Sequence, residues 1–177
     1  MELCTKEINA TVKHKLFAGA FACNRIPLFL EPPFAIIINT DRDDKPGSHW
    51  IAINVSLNGH VEYFDSFGFP PLIPEIYNFL SRFDFCFCYN SVVVQHVNSI
   101  ACGHFSIGFV LARLSGISFE DYLFNFETDN LKNNDKLILK WNAQFLNVSY
   151  KKYARLLMPK VFPTDIQETN HVLCPWN

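Results

Sequence analysis

Four residues have the types and spacing to do chemistry together: His49, Asp65, Gln95 and Cys102. Cys102-Gly103 precedes an apolar stretch, Phe105 to Leu114, that reads as a helix. A thiol at a helix N-terminus feels the positive end of the dipole, which favours thiolate. His49, in His-Trp, would serve as general base and ion-pair partner. Such pairing can lower a thiol pKa from about 8.5 to roughly 3–4. Asp65 would accept from the other ring nitrogen of His49, fixing its tautomer and stabilising imidazolium. Gln95 stands seven residues before Cys102. Its amide and the Cys102 N–H could donate jointly to the oxyanion of a tetrahedral intermediate. Gly103 would let a substrate backbone come close to the sulfur. The set fits nucleophilic attack on a carbonyl.

Each residue alone has an ordinary explanation. A lone cysteine is usually a buried core residue. His49 could sit at a strand edge beside a core tryptophan, Asp65 could end a strand in a turn, and Gln95 could be a polar strand end. The ordered set is far less ordinary than its members.

The elements that must position these residues follow from pattern. Thr5 to Phe17 reads as a helix with Thr5 as N-cap and Ile8, Val12 and Leu16 on one face. Asn24 to Pro33 carries three prolines and reads as irregular. Phe34 to Asn39 is an unbroken apolar run, consistent with a buried strand. Thr40 to Ser48 is loop chemistry. His49–Val55 and His60–Asp65 flank Asn58-Gly59, a strong hairpin signal. A hairpin folds the start of its first strand beside the end of its second. His49 and Asp65 could then meet although 16 positions separate them. Leu72 to Phe83 reads as a helix and Ser91 to Gln95 as a β-branched strand. Val97 to Ala101 is a loop into the cysteine helix. Ser118–Phe126, Asn130–Phe145 and Tyr150–Leu157 read as helices, and 159–177 shows no period. This order predicts a single α+β domain over 1–177. It should have a mixed, mainly antiparallel central sheet flanked by helices, with the nucleophile at the N-terminus of a central helix.

Composition narrows the classes. At 177 residues and 49% hydrophobic, the chain can bury a core and is not disordered. The 18 phenylalanines predict an aromatic one. A formal charge of −2 excludes a strongly basic nucleic-acid binder. Lys151, Lys152 and Arg155 read as a solvated helix face. The start, Met1 to Lys6, lacks a basic, apolar leader, and no run is long and apolar enough to span a membrane. The expectation is therefore a monomer in a reducing interior, its six cysteines mostly thiols. Cys86-Phe87-Cys88 has no second pair to complete a zinc site and reads as alternating strand packing.

Three stretches together resemble the adenovirus-type cysteine endopeptidases (adenain), relatives of the SUMO- and ubiquitin-like-protein proteases. Gly47-Ser48-His49-Trp50-Ile51-Ala52 is similar to the family's Gly-x-His-Trp strand. Tyr63-Phe64-Asp65-Ser66-Phe67-Gly68-Phe69 is similar to its acid-bearing strand and turn. Gln95 to Phe105 is similar to its Gln-x-x-Asn-Ser-x-x-Cys-Gly-x-Phe segment. Asn98-Ser99 favours the adenovirus branch, as does Ala101, where the SUMO-protease branch usually has aspartate. Asn39-Thr40 and the helix over Asn130 to Leu146 are similar too.

The resemblance implies Cys102 as nucleophile, His49 as base, Asp65 as third member and Gln95 in the oxyanion hole, with no cofactor needed for the chemistry. It implies precursor polypeptides as substrates, cleaved at small, Gly-rich sites during particle maturation, in the virion and the host cell interior (nucleus or cytoplasm). It also implies activation by DNA and by a capsid-derived peptide joined through a disulfide. The slight net acidity speaks against DNA, while Cys86 and Cys88 both lie roughly where the family's peptide-linked cysteine lies, and neither is singled out as its counterpart. Two other readings stand beside this one: a protease for SUMO or ubiquitin-like modifiers, and an inactive binding domain.

Overall fold

The computed structural model describes residues 3–83, 87–149 and 152–153. Its centre is a five-stranded sheet in the order β1-β2-β3-β4-β5. The strands are β1 (Phe17–Ala22), β2 (Phe34–Asn39), β3 (Trp50–Val55), β4 (Val61–Phe64) and β5 (Cys88–Tyr89). The β2–β3 and β3–β4 pairs are antiparallel, and the β1–β2 and β4–β5 pairs are parallel. The sheet is therefore mixed as expected but not mainly antiparallel, since each outer strand joins in parallel. Around it lie α1 (Thr5–Thr11), α2 (Pro74–Leu80), α3 (Cys102–Leu114), α4 (Phe119–Phe124) and α5 (Leu131–Phe145).

The sheet is covered on both faces, which explains the unbroken apolar run of β2. Ala35 and Ile37 face one core with Ala52, Phe64 and residues of α1, α3, α4 and α5. Phe34, Ile36 and Ile38 face a second core with Ile51, Ile53, Tyr63 and α2. With both faces dry, alternation disappears from the sequence. Removing one such side chain from water contributes about 1.5–3 kcal/mol. The phenylalanines gather where expected: Phe64 stacks on Phe109 at 5.1 Å between centroids, and Phe119 and Tyr122 meet both edge-on.

Three expectations need correction. The first helix ends at Thr11, because Phe17 begins β1. Its N-cap is Cys4, whose N–H donates to the Glu7 carboxylate at 2.8 Å. Strand β1, Phe-Ala-Gly-Ala-Phe-Ala, was invisible because alanine and glycine are poor strand formers. Tertiary contacts make it a strand: it pairs with β2, and the Asn9 side chain accepts from the Ala20 N–H at 2.8 Å. Ser91–Gln95, conversely, is not a strand. The N–H groups of Val94 and Gln95 both donate to the Ser66 carbonyl at 2.9 and 3.0 Å. Asn90 donates to the Val92 carbonyl and Asn134 to that of Val94. Side chains and a turn satisfy this backbone, so it needs no sheet partner.

The remaining elements hold close to expectation. Asn58-Gly59 closes the β3–β4 hairpin, with Gly59 at φ 83°. Ser118 caps α4 by accepting from the Asp121 N–H at 3.0 Å. The expected helix over Tyr150–Leu157 lies outside the described residues except for Lys152 and Tyr153, which are helical. Cys86, Lys151, Arg155 and 159–177 also lie outside them. Among the described residues, no helix is long and apolar enough to cross a membrane.

Candidate active site

His49 immediately precedes β3 and Asp65 immediately follows β4. The hairpin makes these ends neighbours, and His49 Nε2 lies 3.0 Å from Asp65 Oδ1. The hairpin edge is tied down on both sides. The Trp50 indole donates to the Leu3 carbonyl at 2.8 Å, and the Trp50 carbonyl accepts from Ser106 of α3 at 3.1 Å. Asn90 clamps Asp65 through two backbone bonds. Its Oδ1 accepts from the Asp65 N–H at 2.9 Å, and its Nδ2 donates to the Asp65 carbonyl at 2.6 Å. Asp65 Oδ1 also accepts from the Phe67 N–H at 2.7 Å. The Phe67 ring lies 5.1 Å from the His49 ring, walling that side.

Cys102 is the first residue of α3, and no side chain caps that helix. Its thiol faces the His49 ring closely enough to favour the ring's charged form. With Nε2 turned to Asp65, Nδ1 is the ring nitrogen left to face sulfur. Burial opposes a charge on His49, but hydrogen bonds and negative charge from Asp65 and Cys102 outweigh it and hold the imidazole pKa at about 9. An imidazolium is thus favoured beside sulfur at neutral pH, the arrangement that stabilises thiolate. Cys102 is 3% exposed, whereas the His49 side chain is 16% exposed, so the site opens past the imidazole.

Gln95 is buried and its amide is fixed from both ends. Ser66 Oγ donates to Oε1 at 2.6 Å, and Nε2 donates to the Ser99 carbonyl at 2.8 Å. A primary amide carries two N–H donors, so one remains for an oxyanion. The Ser99 carbonyl, which can only accept, decides which end of the amide is nitrogen. Ser99 Oγ in turn accepts from the N–H of Ala101, the α3 N-cap residue, at 3.1 Å.

The structure thus joins His49, Asp65 and Cys102 directly and fixes Gln95 on the loop that leads to Cys102. A Cβ at Gly103 would lie 3.1 Å from Leu3 Cδ1 and 3.3 Å from Trp50 Cδ1. Its missing side chain lets the start of α3 pack closely against Leu3 and the start of β3. Sequence reasoning missed Ser66, Asn90 and Ser99. Ser66 and Asn90 are fully or nearly fully buried, yet polar residues beside turns read from sequence as solvated.

Other groups stand apart. Cys88 is exposed on β5, Cys4 is exposed beside α1, and Cys23 is buried, its thiol pushed up by burial. His104, the second residue beyond Cys102, is fully buried and pushed down to about 3 by burial and then by the N-terminal charge. Among the described residues, no three His, Cys, Asp or Glu side chains cluster to hold a metal ion.

A buried Cys–His–Asp group beside a fixed glutamine amide resembles the thiol proteases as a class. The curated relatives are viral. The chain is 35% identical over 102 residues to the protein assigned as thiol protease R355 of Acanthamoeba polyphaga mimivirus, covering 51% of this chain. It is 31% identical over 108 residues to the cysteine protease S273R of African swine fever virus, covering 54% of this chain. In another isolate of that virus the relative is named a SUMO-1 cysteine protease. The chain spans only 33% of the mimivirus protein and 39% of the swine fever virus protein. Solved structures are similar to the chain as well. The swine fever virus pS273R protease has a TM-score of 0.45 at 22% identity, covering 66% of this chain and 44% of that one. The central domain of Lpg1148 from Legionella pneumophila has a TM-score of 0.48 at 12% identity, covering 82% of this chain and 96% of that one. No protein-family model matches the chain.

Proposed function

We propose that this chain is a cysteine endopeptidase that cleaves precursor proteins of a virus or virus-like element, at small, Gly-rich sites, during particle maturation. The observation that carries this reading is the 3.0 Å His49–Asp65 contact made by an imidazole that also faces Cys102. Cys102 thiolate attacks the scissile carbonyl carbon, forming a C–S bond and an oxyanion. One Gln95 N–H and the Cys102 N–H hold that oxyanion. The His49 imidazolium gives its proton to the leaving amine as the C–N bond breaks, leaving a thioester. His49, now neutral, takes a proton from water. The hydroxide formed adds to the thioester, and the carboxylic acid product leaves as Cys102 returns to thiolate.

Partners, compartment and activation belong to the same proposal. The substrates are precursor polypeptides, and the enzyme acts as an adenain-like monomer inside the host cell and virion. A capsid-derived peptide or DNA would act on the preformed site as an activator. Cleavage profiling on a Gly-rich peptide library, with and without DNA, tests this. Cys102→Ala should abolish cleavage without lowering the melting temperature. Normal cleavage by that variant would sink the assignment.

The SUMO-1 protease name carried by a swine fever virus relative favours a second reading, a protease for ubiquitin-like modifiers. A vinyl sulfone at the Gly-Gly end of SUMO or ubiquitin should then label Cys102. Cleavage of Gly-rich peptides without such labelling favours the maturation reading.

A further inference from the structure

The loop that carries Gln95 toward Cys102 is gripped at both ends from one helix. We propose that the adjacent pair Asn134–Asp135 on α5 is the positioning element for the oxyanion side of the site. This rests on the proposed thiol-protease chemistry and adds residues to it.

Asn134 is fully buried, and each of its polar atoms is used. Its Nδ2 donates to the Val94 carbonyl at 2.8 Å and to the Glu127 carbonyl at 2.7 Å. Its Oδ1 accepts from the Glu127 N–H at 3.0 Å, so the side chain cannot rotate without breaking three bonds. The Val94 peptide is the one that leads directly into Gln95. Asp135 works at the other end, where its carboxylate faces the Ser99 hydroxyl closely enough for that hydroxyl to lower its pKa. Ser99 itself makes two bonds. Its carbonyl takes a Gln95 amide proton, and its Oγ accepts from the Ala101 N–H at the start of α3. Asp135 therefore acts on the oxyanion amide and the helix end through one residue.

The placement is costly for Asp135. Burial raises its pKa, while the Ser99 hydroxyl and the charge of His96 lower it. Its Oδ1 is buried without a protein partner among the described residues. A solvated helix face would not hold a carboxylate there. Asn134 and Asp135 touch neither sulfur nor imidazole, so theirs is a positioning role. Displacing a catalytic donor by 1 Å can cost 10²-fold in rate.

The test compares Asp135→Ala and Asp135→Asn in the full chain. Alanine removes the carboxylate that faces Ser99, whereas asparagine keeps a carbonyl oxygen there. Asp135→Ala should lower kcat by about 10-fold or more with KM within about twofold, and Asp135→Asn should restore most of it. Iodoacetamide alkylation of Cys102 should stay at the wild-type rate, because the His49–Cys102 pair is untouched. In parallel, the side-chain amide resonances of Gln95 in a 15N-labelled chain should shift in Asp135→Ala and return in Asp135→Asn. Wild-type kcat and unshifted Gln95 resonances in Asp135→Ala would overturn the inference. So would failure of asparagine to rescue either. If Asp135→Ala does not fold, Ser99→Ala removes the same link and carries the same expectations. A wild-type chain that cleaves nothing would refute the protease reading, while the Gln95 resonances would still decide this one.

Discussion

Burial works against a charged His49, and Asp65 with Cys102 overrules it, holding the pKa at about 9. The proposed chemistry needs that proton for the leaving amine. The kcat/KM profile should therefore fall on its alkaline side near pH 9. Asp65→Asn keeps the side-chain size and an oxygen for the Phe67 N–H, but removes the negative charge facing His49. Its alkaline limb should move toward 6.5 by more than one unit, and kcat should drop by roughly 10²–10⁴. An unmoved limb in a pH–rate series would separate the profile from His49. At this scale the sequence pointed to His49, Asp65, Gln95 and Cys102 because each has a reactive group tied to a recognisable local pattern, and the structure sets His49 beside Asp65. Ser66, Asn90 and Ser99 were not legible, since their work lies in which atoms they meet across the fold.

Helix α3 carries the nucleophile at one end and packs on α5 along its length, and Gly108 permits that approach. A Cβ at position 108 would lie 2.3 Å from Ile138 Cδ1 and 2.8 Å from Asn142 Oδ1. Gly108→Ala should push the helices apart and destabilise the fold by about 1–3 kcal/mol, read as a lower melting temperature. A variant as stable as the parent would mean that α5 is free to retreat. The hairpin was legible because Asn58-Gly59 names its own turn, and β2 because a doubly buried strand reads as a pure apolar run. The failures share a cause. In β1, weak local propensity yields to pairing with β2 and to Asn9. In Ser91–Gln95, strong β propensity yields to Ser66, Asn90 and Asn134, which take the backbone groups that a sheet would have used.

Across the whole molecule, two histidines set opposite limits on stability. His49 gains affinity for its proton on folding, from 6.5 to about 9. Its contribution is complete below 6.5 and is lost as pH rises through 9. His104 loses proton affinity on folding, from 6.5 to about 3, because it is buried. Its contribution is present above 6.5 and is lost as pH falls toward 3. The two windows meet near 6.5, where the melting temperature should peak. A pH series of thermal melts that runs monotonically from about 4 to 9 would contradict this pairing. The α5 grip on the Gln95 loop also has a consequence for biosynthesis. A chain emerging from the ribosome has its thiol, imidazole and carboxylate in hand once Cys102 is made. Val94 must still wait for Asn134, 40 positions later. Domains fold as their segments emerge, so cutting power arrives after the reactive residues do. On the proposed protease reading, the unfinished chain and its polysome neighbours are thereby spared.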